Sequence, residues 1–260
     1  MEIVGYIAAL LVGLSLGLVG GGGAILTVPL LVYLFGVEPS LATGYSLFIV
    51  GIAALTGAVK NYRKGNVDLQ TTLLFGITSV LTVIATRRLL LPAIPRHIGY
   101  IGGMEITNNL LTMLLFAVLM LWASVSMIRG KKVEADSEEQ RSIVLLLLYG
   151  VGIGLVTGLL GAGGGFLLIP ALVFFARLEM KTAIGTSLSI IAMNSLIGFA
   201  SDVWFMDIDW VLLLSVSGLA VAGIFAGMRL GKNIPGKSLQ KGFGWFVLIT
   251  GVYILIKELL

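Results

Sequence analysis

The chain contains no cysteine and one histidine, His97. The first absence excludes disulfides, thiolate nucleophiles, Cys-ligated zinc and iron–sulfur clusters. The second leaves a histidine metal site or a Ser–His dyad without its parts, so no metal, cofactor or catalytic residue is expected and the chain does not read as an enzyme. Charge is scarce as well. Asp, Glu, Lys and Arg make up 12% of the 260 residues, against about 25% in a soluble domain. Hydrophobic residues reach 58%, and they fall in long blocks rather than amphipathic stripes. So few charges cannot cover so much apolar surface in water. The composition is that of a polytopic membrane protein. The formal net charge of +4 is spread along the chain, which fits cytoplasmic loops and not nucleic-acid binding. Met1-Glu2-Ile3-Val4 lacks the basic start of a signal peptide, so the first apolar stretch is expected to be retained.

What is abundant is apolar sequence and glycine, 35 residues of it. Apolar runs span Ile3–Phe35, Leu41–Val59, Leu69–Leu91, Ile106–Ile128, Ile143–Ala176, Ala183–Ala200, Trp210–Leu230 and Phe243–Ile256. Most match the roughly 17–25 residues that a hydrocarbon core requires. Ile3–Phe35 and Ile143–Ala176 are too long for one crossing. Each is interrupted by a glycine cluster, Gly20–Gly23 and Gly161–Gly165, and reads as two helical pieces joined at a break. The fold expected is all-α, a transmembrane bundle. Arg129–Arg141, RGKKVEADSEEQR, is the only long hydrophilic stretch, a solvated linker. It separates a first transmembrane repeat, 1–128, from a second, 142–260, with 129–141 between them on the cytoplasmic side.

The two halves are copies. At an offset of 141, Gly13, Gly17, Gly20, Pro29, Glu38, Gly44, Ser46 and Gly57 fall on Gly154, Gly158, Gly161, Pro170, Glu179, Gly185, Ser187 and Gly198. Between Gly13 and Gly57, 19 of 45 positions are identical without a gap, and shared apolar bias would not align glycines, prolines and a serine together. Loop charges bear on orientation. Lys60, Arg63 and Lys64 follow the second run, whereas the equivalent loop carries Asp202 and Asp207. The positive-inside rule puts these loops on opposite faces, which makes the repeats inverted if each glycine-broken segment is a hairpin. Arg87, Arg88 and Arg96 dissent from that scheme.

A helix broken inside a membrane exposes backbone groups that lipid cannot satisfy, so a break survives only inside protein or against a polar cavity. The helical pieces that begin near Ala24 and Phe166 present free N–H groups and the positive end of a helix dipole, which favours an anion. Gly22, Gly23, Gly163 and Gly164 are therefore expected to line a substrate site, with Pro29 and Pro170 structural. The competing reading is a small-residue seam for helix packing. Ser46, Thr186 and Ser187 open the next helix of each half and offer hydroxyl donors, although back-bonding to the preceding turn is the ordinary use of a membrane serine. Asn194, in the middle of its run, is expected to point into the bundle. Gly44-Tyr45-Ser46 also has the spelling of an intramembrane-protease nucleophile, but no histidine is placed to serve it.

The duplicated GLVGGGGAILTVPLL and GLLGAGGGFLLIPAL, each followed by GYSL or GTSL, resemble the sulfite exporter TauE/SafE family of membrane transporters. The similarity extends over nearly the whole chain apart from the linker and the end of each half; Pro95–Leu111 is longer than its second-half counterpart, and the resemblance implies nothing there. The resemblance implies passage of a small sulfur-containing or organic anion, such as sulfite, thiosulfate or a sulfonate, across the cytoplasmic membrane. The expectation is a secondary transporter working by alternating access and driven by a coupling ion such as the proton, with the lipid bilayer and the anion as its partners. A passive anion channel and a non-transporting membrane scaffold are the alternatives.

Overall fold

A computed structural model describes residues 2–21, 23–94, 97–101, 104–129, 143–161, 165–174, 176, 178–231 and 236–259. In chain order the elements are α1 (Glu2–Val19), α2 (Ala24–Phe35), α3 (Pro39–Tyr62), α4 (Leu69–Ala85), a π-helical turn (Thr86–Leu90), α5 (Leu91–Ala93), β1 (His97–Ile101), β2 (Met104–Thr107), α6 (Asn108–Arg129), α7 (Ile143–Leu160), α8 (Gly165–Phe174), α9 (Met180–Asp202), a 3₁₀ turn (Val203–Phe205), α10 (Trp210–Leu230) and α11 (Gly236–Leu259). Both over-long runs break where the glycines lie. Most of the linker is outside the described residues. One element departs from the all-α expectation. Within the segment that is longer than its second-half counterpart, β1 and β2 pair antiparallel, with Tyr100 opposite Glu105 and Ile101 opposite Met104.

Among the described residues four helical stretches are long and apolar enough to cross a membrane: Pro39–Tyr62, Leu69–Ala93, Met180–Phe205 and Trp210–Leu230. Two of these, α3 and α9, form the centre. They run antiparallel, because Gly51 faces Leu196, Gly57 faces Leu188 and Gly198 faces Leu47. Around them the halves exchange partners. The first helix of each half lies along the fourth helix of the other, α1 on α10 and α7 on α4, and α4 and α10 in turn pack on α9 and α3. Lipid meets the outside. On α4, Leu69, Leu73, Ile77 and Leu81 repeat every fourth residue, and each is more than half exposed, as a stripe on one helix face should be.

The exchanged contacts are built from small residues. A Cβ on Gly13 or Gly17 would run into the backbone of Ala220 or Ile224, and one on Gly223 or Gly227 into that of Leu10 or Leu14. On the other side Gly150, Gly154 and Gly158 rest on Thr78, Ser79 and Thr86 of α4 and its π turn. Without water to drive apolar faces together, close van der Waals approach is what holds such helices. The small-residue seam is thus real, but it lies along α1 and α7 before the breaks.

Asp68 and Asp209, equivalent across the repeat, start α4 and α10. Asp68 accepts from the Thr71 amide at 2.7 Å, and Asp209 from the Val211 and Leu212 amides at 3.0 Å. Each satisfies helix-start donors that have no partner in the helix. The packing makes a prediction. Gly17→Leu should destabilise the protein by roughly 1–3 kcal/mol through overpacking, whereas Gly218→Leu on the same seam's outer side, where nothing lies within 4 Å, should be neutral. Thermal unfolding in detergent compares them, and equal losses would contradict the seam.

Candidate functional site

The first glycine break is the tip of a hairpin, and the second starts with the same backbone turn. Gly20 has φ 71° and Gly161 φ 66°, a left-handed conformation that costs any residue with a Cβ. From Gly20 the chain folds back: Gly23 lies against Val12 and Ser15, and at the far end the Phe35 ring meets Tyr6 edge-on with centroids 5.3 Å apart. So α2 retraces α1. The two tips dock crosswise. Gly20 sits on Ile184 of α9, Gly161 sits on Thr43 of α3, and Gly21 and Gly165 touch each other with no room for a side chain.

The donors expected at the break are partly used within it. The Ala24 amide turns back to the Gly21 carbonyl at 3.4 Å, and the Leu26 amide to that of Gly23 at 3.1 Å. The glycine at Gly23 admits α1 to close range. Gly22, Gly163 and Gly164 lie outside the described residues. Pro29 is buried inside α2, where its ring removes one helical hydrogen bond, and Pro170 falls within α8.

The hydroxyls divide. Ser187 is fully buried, with the Gly20 carbonyl of the opposite hairpin at 2.7 Å and the Ile184 carbonyl of its own helix at 2.9 Å. It pins a hairpin tip. Its counterpart Ser46 is equally buried, yet its Oγ has no partner among the described residues. Thr186 accepts from the Asp68 amide at 2.9 Å. Tyr45, at the matching position in the first half, accepts from the Asp209 amide at 2.6 Å. These two hydroxyls tie the third helix of one half to the capping aspartate of the other, so Thr186 is engaged at the α3–α4 corner. Sequence reasoning passed over Tyr45 because the paired residue types differ. Asn194 is fully buried. Its Oδ1 accepts from Ser79 Oγ at 2.8 Å, while its Nδ2 and the neighbouring Ser195 Oγ have no partner among the described residues.

One cavity of about 940 Å³ opens at the end of the bundle where α3 begins and α9 ends. Glu38, Arg88 and Asp207, all exposed, stand in its lining. Thr43, Leu159, Arg87, Ser201 and Asp202 line it too, next to the tip at Gly161. Arg87 is the charge that sequence reasoning misplaced. It lies in the π turn, is buried, and forms an ion pair with Asp202 of the other half. Single π turns recur at functional positions. Its counterpart Met228 sits in unbroken α10. The sequence did carry a signal: Arg87 belongs to the arginines that violate the loop-charge rule, as a buried arginine can because it is no loop charge.

Gly231–Ser238 has the spelling of a nucleotide-binding P-loop. It joins α10 to α11 instead of a strand to a helix, so it lacks the context that gives the spelling its chemistry. Among the described residues no group of acidic and histidine side chains has the arrangement of a metal site.

With this geometry in view, comparison with known proteins is informative. Residues 6–254 match the family model for the sulfite exporter TauE/SafE. A "Probable membrane transporter protein" of Xylella fastidiosa (strain 9a5c) is 29% identical, covering 94% of this chain and 91% of its own length. One from Methanocaldococcus jannaschii is 24% identical over 98% and 94% of the two chains, and one from Bacillus subtilis 24% over 94% and 96%. No solved structure matches. The match extends through both hairpins, the exchanged seams and the cavity, and the chain belongs to the sulfite exporter TauE/SafE family, a family of membrane transporters and not of enzymes.

Proposed function

We propose that this protein is a secondary transporter that carries a small oxyanion such as sulfite, thiosulfate or a sulfonate through the cytoplasmic membrane by alternating access, as inverted-repeat transporters do. The inverted arrangement is supported by the antiparallel course of α3 and α9, which are equivalent helices. The first hairpin starts and finishes on the same side; with its repeat copy built alike, each half crosses an odd number of times. Loop charge then gives the orientation. Lys60, Arg63 and Lys64 lie at the end of α3, and the cavity opens at its beginning, so the cavity faces outward.

The observation that carries the reading is the unequal state of two equivalent latches. Ser187 holds the Gly20 tip and the Gly185 position is closed against Asn66. At the other end Ser46 is unbonded, Gly44 meets only the flexible end of Met206, and the cavity lies beyond. Both tips pack on the opposite third helix but only one serine is bonded among the described residues, an asymmetry that suits a state open at one end of an alternating machine. Exchange of the two states would bring the Ser46 hydroxyl onto the Gly161 tip and release Ser187 from Gly20. The membrane carries the driving force, with a proton as the coupling ion.

Three measurements follow. Counterflow in proteoliposomes tests the function: internal unlabelled sulfite should accelerate entry of labelled sulfite, and a channel would show no acceleration. Single cysteines test the orientation without background, since the chain has none of its own. Lys64→Cys should react with a membrane-impermeant maleimide only from the cytoplasm and Asp207→Cys only from outside; labelling from one common side would contradict inversion. The latches make a third case. Ser187→Ala should lower stability by about 0.5–1.5 kcal/mol, the usual worth of one hydrogen bond, whereas Ser46→Ala should not. Equal losses in thermal unfolding would mean that the two latches are in the same state.

A further inference from the structure

Arg87 is a strong cation placed where the membrane tolerates one only with a purpose. Its side chain is 3% exposed. The ion pair to Asp202 occupies Nη1, and the two other nitrogens, Nε and Nη2, are buried with no hydrogen-bond partner among the described residues. Those two nitrogens form one side of the guanidinium. Their N–H groups are coplanar and nearly parallel, a fork matched to two oxygens of a carboxylate, sulfite or sulfonate and mismatched to a halide. A buried donor left unpaired is destabilising, and a charged pair of them more so. The residue nevertheless lines the cavity beside Asp202, Ser201 and Thr43.

We propose that the Nε–Nη2 edge of Arg87 is the recognition site for the transported oxyanion, at the foot of the outward cavity. This rests on the anion-transport reading above and adds the group that selects the anion. Asp202, one-fifth exposed, holds Nη1 and cancels the guanidinium charge. The anion is then bound by the geometry of two charge-assisted hydrogen bonds and not by a net buried cation, which leaves it free to depart. In the state described, the fork is shut from the cavity; the arriving anion draws it out. Arg87 belongs to the first half and Asp202 to the second, so occupancy is felt across the boundary along which the halves would move. The equivalent residues at the inner end, Met228 and Asn61, form no such pair. The device is single and belongs to the outer end.

Calorimetry on the full chain in phospholipid nanodiscs tests this, with sulfite, methanesulfonate, acetate and chloride as probes. Wild type should bind at least one oxyanion without competition from equimolar chloride. Arg87→Lys keeps the charge and the ion pair but loses the planar fork, and should weaken binding at least tenfold. The pair Arg87→Gln with Asp202→Asn removes both charges together, which spares the fold a lone buried carboxylate, and should lose binding at least a hundredfold with an unfolding midpoint close to wild type. Asp202→Asn alone should tighten binding and slow release. Wild-type affinity in Arg87→Lys or in the double variant would overturn the proposal and leave the anion reading standing, with the pair merely a tie between halves. Wild type that binds none of the oxyanions would overturn both.

Discussion

A helix that stops and reverses inside a hydrocarbon slab strands backbone amides and carbonyls where no water can reach them. The architecture is an answer to that constraint, met twice. Each reversal is placed at a glycine in the left-handed conformation, Gly20 or Gly161, and each tip is buried against the third helix of the opposite half. The amides of Ala24 and Leu26 close back on their own turn, and the Gly20 carbonyl is taken by Ser187. The first hairpin thus draws a partner from the opposite half. The halves are therefore bound to exchange partners, and the glycine seams of α1 on α10 and α7 on α4 carry that exchange along the full length of the bundle.

On the proposed reading, the same arrangement supplies two alternative states. Equivalent tips dock on equivalent helices at opposite ends, and an hourglass built this way can fasten one end only by a contact that its copy also offers. The hydroxyl ties of Thr186 to Asp68 and Tyr45 to Asp209 are made at both ends and hold the frame. The serine latches and the cavity are not shared equally. What differs between the ends includes the tips and the Arg87–Asp202 pair with its π turn, while the corners that hold α4 and α10 stay alike.

Much of this was legible in the sequence. Apolar run lengths placed the helices, and the two runs too long for a membrane located the breaks, because a glycine cluster at both positions leaves few alternatives. The repeat was legible because its gapless offset keeps glycine, proline and serine in step. Direction was harder. Whether a broken segment crosses or returns depends on contacts such as Tyr6 with Phe35, which no local pattern encodes. The hydroxyls were harder still, since Ser46 and Ser187 are identical in sequence and differ only in which tip is fastened. The β1–β2 hairpin lies where the first half is longer than its copy, and its strands, five and four residues, are too short for a strong alternating pattern. Arg87 announced itself only as an exception to a charge rule.

The central claim is that the two ends open and close reciprocally. Glu38 and Asp207 stand in the lining of the cavity, and the repeat carries them onto Glu179 and Asn66, the inner end in the proposed orientation. Pulsed electron spin resonance on spin-labelled double-cysteine variants, Glu38→Cys with Asp207→Cys and Glu179→Cys with Asn66→Cys, reads both distances in the same membrane. The account predicts two populations for each pair, with added sulfite shifting the outer distance shorter as the inner one lengthens. A single unchanged distance in each pair, or both changing in the same direction, would contradict it.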